Sequence, residues 1–136
     1  MTSSSRKFLL SLLLAAALLS ACATTSPQSL CHAGEQLAVV DSLYFGSGDV
    51  KPDQWQEFLA TVITPRFPEG LTSWPGAGQW RNDAGVLEKE NSYVLQLVHA
   101  DTPQAEAAIH EVMSIYKNQF HQRAVLRTRT WTCMSF

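Results

Sequence analysis

Six stretches of regular apolar periodicity change kind along this chain, and their order leaves few folds open. Residues 37–45 (LAVVDSLYF) are β-branched and aromatic and run into Gly46-Ser47-Gly48-Asp49, which reads as a strand followed by a turn. Pro52 then opens a segment with Trp55, Phe58, Leu59, Val62 and Ile63 on one face, the stripe of an amphipathic helix, and Pro65 stops it. Residues 71–81 (LTSWPGAGQWR) read as a broken strand. Pro75 cannot donate to a ladder and Gly76 and Gly78 suggest a bulge, so this strand belongs at an edge. After the turn Asn82-Asp83-Ala84-Gly85 comes residues 90–99 (ENSYVLQLVH), apolar on both faces and therefore central. Thr102 can cap a second helix with Pro103 at its first position. Its buried stripe is Ala105, Ala108, Ile109, Val112, Ile115, Tyr116 and Phe120, and residues 124–133 (AVLRTRTWTC) form a last strand.

Strand, helix, strand, strand, helix, strand is the order of a ferredoxin-like α+β sandwich, four antiparallel strands with two helices on one face. The usual spatial order 4-1-3-2 puts the second strand at an edge, as Pro75 requires. It also sets the end of the fourth strand beside the beginning of the first, Cys133 near Cys31. A bridge between them would close a loop of about 100 residues and contribute up to about 4.7 kcal/mol in the chain-entropy model. Two buried free thiols are the alternative. No CxxC or Cys/His spacing points to zinc.

The amino terminus carries a different message. Residues 1–7 are polar with Arg6 and Lys7, residues 8–19 are apolar except Ser11, and Leu19-Ser20-Ala21-Cys22 follows. A basic segment, a short apolar core and small residues make a secretory signal. Twelve residues fall short of the roughly 20 that a spanning helix needs. Leu19-Ser20-Ala21-Cys22 resembles the bacterial lipobox, in which the cysteine receives diacylglycerol before the signal is removed; plain cleavage without lipid is the alternative. That resemblance implies residues 1–21 as signal and a mature chain starting at an acylated Cys22. Residues 22–34 then form a tether, and residues 35–136 one domain. Lipid on Cys22 also consumes the odd cysteine of three, leaving Cys31 and Cys133 as a pair in an oxidising compartment. The expected address is a bacterial membrane, the outer one facing the periplasm.

Loss of residues 1–21 takes two of ten basic side chains and none of twelve acidic ones, for a net charge near −4. That argues against nucleic acid, whose binding needs a basic footprint, and against electrostatic adhesion to anionic lipid.

Residues 43–46 (LYFG), 63–72 (ITPRFPEGLT), 78–81 (GQWR) and Glu90, with the stretch 122–126, recur in a familiar order. They resemble a family of small bacterial proteins, many with lipoprotein signals, grouped as a domain of unknown function. The resemblance covers nearly the whole domain and carries over no catalytic residue.

Chemistry therefore rests on the residues themselves. His99 ends the central strand and is the candidate base, with Glu88 and Glu90 a candidate carboxylate pair. His32, His110 and His121 read as ordinary surface histidines, and no phosphate loop, dinucleotide fingerprint or metal spacing calls for a cofactor. Arg66 between prolines, with Trp80, Arg81 and Glu90, suggests rigid carboxylate recognition; the plainer reading is that Arg66 or Arg81 pairs with Glu90 to fasten a loop. The sheet face away from the helices is expected to carry Ser42, Tyr44, Val94, Gln96, Val98, Arg127, Arg129 and Trp131, a mixed aromatic surface for a second copy or an envelope partner. Two functions follow: a membrane-anchored binding module, or a small enzyme acting on an anionic substrate in the ferredoxin-like cleft.

Overall fold

The computed structural model describes residues 30–136, so the expected signal, Cys22 and most of the tether lie outside the described residues. Strand β1 is Gln36–Gly46, helix α1 Pro52–Phe58, β2 Thr72–Arg81, β3 Leu87–His99, α2 Pro103–Gln119 and β4 Val125–Met134. The sheet runs β2-β3-β1-β4 and every neighbouring pair is antiparallel. This is the expected 4-1-3-2 sandwich.

Local chemistry sets each boundary. Pro52 sits in the first turn of α1, where its missing N–H costs nothing, and Gln54 Oε1 accepts from the Lys51 N–H at 2.9 Å. The helix continues through a π-helical turn at Leu59–Ile63, closed by Thr64 N–H donating to Leu59 O at 2.9 Å. That widened turn rotates Ile63 fully into the core and leads into Arg66 and Phe67. Thr102 caps α2 by accepting from Ala105 N–H at 3.1 Å. Its stripe buries Ile109, Val112 and Tyr116 against the sheet.

Strand β2 departs from the expected bulge. Its register with β3 runs without a break from Thr72↔Gln96 to Arg81↔Leu87. At the edge Pro75 forfeits little, and the glycine at 76 answers a close approach instead: a Cβ there would lie 2.8 Å from Ser92 Oγ. β3 also starts earlier than the expected residue 90. Asn82 Oδ1 accepts from Ala84 and Val86 N–H and closes the turn, which lets the β2–β3 ribbon grow beyond the end of β1 at Gly46↔Ser92.

The core lies between the helices and the odd-numbered residues of β1. Phe45, Trp55, Phe58 and Tyr116 pack with centroids 4.6–6.3 Å apart, Trp55 stacked on Phe58 and the other pairs edge-on or tilted. Trp55 also stacks on Tyr93 at 4.6 Å and donates its indole N–H to Ser73. Each such side chain contributes about 1.5–3 kcal/mol by burial. Leu37 pairs with Cys133, and the Cys31–Cys133 disulfide closes the far end with its Cα atoms 5.5 Å apart.

Candidate functional site

Alternation along β1 points Val39, Asp41, Leu43 and Phe45 toward the helices, so one carboxylate enters an otherwise apolar face. Asp41 is fully buried. The Arg127 guanidinium grips it with two bonds, Nε to Oδ1 at 2.7 Å and Nη2 to Oδ2 at 2.9 Å. The same guanidinium reaches Glu106 on α2 at 2.6 and 2.7 Å. Arg129 bridges Glu106 at 3.0 Å and Asp101 at 2.7 Å. Burial alone would raise the Asp41 carboxyl; the hydrogen bonds of Arg127 and His99 outweigh it and hold the group below its ordinary 3.8. Hydrogen bonding from Arg127 likewise lowers Glu106 to about 2. Among the described residues no buried side-chain polar atom lacks a partner, so the cluster is closed upon itself.

His99 belongs to this cluster. Its Nε2 meets Asp41 Oδ2 at 2.9 Å and its Nδ1 meets Ala100 O at 2.8 Å. The ring lines a cavity of about 270 Å3 between the Arg66–Gly70 turn, the end of β3 and the first turn of α2, walled by Phe67, Pro68, Ala105 and Ala108. Both nitrogens are engaged, one by Asp41 and one by the Ala100 carbonyl, so the face offered to the cavity is mostly carbon. That suits an apolar group better than proton transfer. The ligand-type atoms of Cys31, Glu35 and Cys133 also lie together, but both sulfurs are spent in the disulfide.

The expected carboxylate-binding group does not assemble. Arg66 is held bidentately by Glu111 of α2 at 2.9 Å and donates to Val62 O, so it fastens the turn to a helix rather than to Glu90. Arg81 donates to Gly85 O inside the hairpin. Trp80 sits beside it, half-exposed. The whole of β2 separates the two arginines, about 30 Å at 3.3 Å per residue. Glu90 rises over Gly46, where a Cβ would meet its carboxylate at 2.5 Å, and Asn82 rather than an arginine holds Glu88. Nine residues of strand, again about 30 Å, part Glu90 from His99.

One face assignment is corrected. Arg127 pairs with Leu43, Arg129 with Asp41 and Trp131 with Val39, so all three lie on the helix side. A period-two pattern fixes which residues share a face but not which face, and the phase expected for β4 was off by one residue. The open face takes Leu126, Thr128, Thr130 and Thr132 instead. Ser42, Tyr44, Val94, Gln96 and Val98 do share that face, through Ser42↔Gln96, Tyr44↔Val94 and Val40↔Val98. Across all four strands runs one apolar row, Trp74↔Val94↔Tyr44↔Leu126. Trp74, Tyr44 and Leu126 are 42%, 39% and 61% exposed, with Val94 sheltered between its neighbours. Trp74 and Leu126 were not expected here; Asp41, a lone charge at a core-facing position, was the legible signal for the cluster that draws Arg127 to the other side.

Solved structures share the architecture. A phage SAM lyase in complex with S-methyl-5'-thioadenosine superposes with a TM-score of 0.54 at 12% identity, over 73% of this chain and 90% of that one. CutA from Synechococcus elongatus gives 0.53 at 9% identity, over 77% and 84%. At such identities the likeness concerns the fold alone. No curated protein matches the sequence. The four motifs pointed to an uncharacterised domain, and the model for a protein of unknown function (DUF3574) matches residues 40–136: the chain belongs to that family.

Proposed function

We propose that this domain is a non-catalytic binding module, held on the periplasmic side of the bacterial outer membrane by lipid on Cys22 and engaging a protein partner through its open sheet face. The apolar row Trp74, Val94, Tyr44 and Leu126 carries the reading. Large apolar side chains side by side on a sheet face are what a protein surface covers in use. The enzyme alternative draws on His99 lining a cavity, but its ring nitrogens are engaged and Glu90 lies at the other end of β3. Among the described residues no helix is long and apolar enough to cross a membrane, so attachment in this reading falls to the acyl chains.

Two measurements test it. Radiolabelled palmitate should enter the wild-type chain and not Cys22→Ser, which should persist as uncut precursor; label in that variant would sink the anchor. A photo-crosslinking amino acid at Thr128, on the open face, should give adducts in the intact envelope, while one at Glu57, exposed on α1, should not. Equal or absent crosslinking at Thr128 would remove the binding face.

A further inference from the structure

Taking the open sheet as a binding surface, as proposed above, we infer that its occupant is a second copy of this chain, packed face to face about a two-fold axis running along the strands. The apolar row crosses the strands in the order β2, β3, β1, β4 as Trp74, Val94, Tyr44, Leu126. A two-fold axis midway between β3 and β1 lays β2 over the second copy's β4 and β3 over its β1. Trp74 then covers Leu126, and the low, sheltered Val94 receives the taller Tyr44. Bulk meets lesser bulk at each place along the row. An axis across the strands would instead stack Trp74 on Trp74 and leave a gap between two valines.

The next row has the same property. Thr72, Gln96, Ser42 and Thr128 would place Thr72 over Thr128 and Gln96 over Ser42, uncharged groups able to hydrogen-bond across the interface. Of the acids of this face, Glu88 stands beyond the last β1 pair at Gly46↔Ser92, outside the overlap, and Glu90 folds its carboxylate over Gly46 at the edge of it. Under this axis β1 lies over the second copy's β3 along Val39–Gly46 and β2 over its β4 only along Thr72–Pro75, which gives roughly 400 Å2 per copy, about 800 Å2 in all, the size of a weak contact. Such a pair is weak in dilute solution and favoured where a membrane concentrates the chains. Orientation agrees: the strand-parallel axis puts both Cys31–Cys133 ends on one side, where two chains anchored through Cys22 reach the same bilayer.

Co-expression of two tagged full-length chains, Trp74→Cys and Leu126→Cys, followed by mild oxidation in membranes, tests the arrangement. The mixed 74–126 crosslink should exceed both self-crosslinks at least tenfold, and Thr128→Arg on both chains should reduce it by the same factor. Dominant 126–126 crosslinking, or no species of doubled mass, would overturn the dimer. The Thr128 photo-crosslinker then separates the two claims. Adducts only with other proteins refute self-pairing and keep the binding face, whereas no adduct at all removes both.

Discussion

The two faces of the sheet invert the usual distribution of polarity. The covered face carries apolar side chains around a knot of charge, Asp41, His99, Arg127, Arg129, Glu106 and Asp101, whose members satisfy one another. The open face carries an exposed apolar row with no such internal completion. The difference teaches where stability and where interaction reside. A buried charge that has lost its partner is heavily destabilising, so the covered face resists change. An exposed tryptophan or leucine contributes little to folding and stays available for binding.

Breaking the covered face should have the largest effect. Arg127→Met leaves the fully buried Asp41 without its main partner, and about 3–5 kcal/mol of stability should be lost in urea titration. Asp41→Leu combined with Arg127→Met should cost less than the two single changes summed; additivity would mean the pair is not coupled. Next comes the bridge at the far end. Cys133→Ser should lower stability by about 2–4 kcal/mol, and the intact mass of the wild-type chain should rise by two hydrogens on reduction. No mass difference would mean free thiols.

Acid should loosen the covered face selectively. Asp41 and Glu106 both have folded-state values below their unfolded ones, so their stabilisation is complete above about pH 4.5 and fades as pH falls toward 2. Urea midpoints should fall over that window, and the slope should flatten in Arg127→Met; an unchanged slope would remove the cluster from the acid response. The smallest effect on folding belongs to the open face. Leu126→Lys, at a 61% exposed position, should shift stability by no more than about 0.5 kcal/mol while abolishing association. A large loss of stability there would erase the contrast between the faces.

Much of the fold was legible because its signals are local. Pro52 and Thr102 mark helix starts by the chemistry of the first turn, and Pro75 marks an edge because it lacks a donor. The central strand showed itself by apolar residues on both sides. The site was less legible. In β4 the arginines alternate with threonines, and either set suits solvent when read alone. Only the pairing of Arg129 with Asp41 shows that the arginines turn inward. Trp74 was hidden by its neighbours Pro75 and Gly76, which drew attention to a bulge that the ladder does not contain.

By itself the sequence determined the order of elements and the strand edge, because turn chemistry and periodicity act within a few residues. Tertiary structure decided which face each side chain of β4 occupies, that Arg66 clasps Glu111 and not Glu90, and that one apolar row spans four strands. The Arg66 clasp depends on how the helix Pro103–Gln119 packs beside a turn distant in the chain, and the two strand outcomes on hydrogen-bonded register, where a shift of one residue reverses every face.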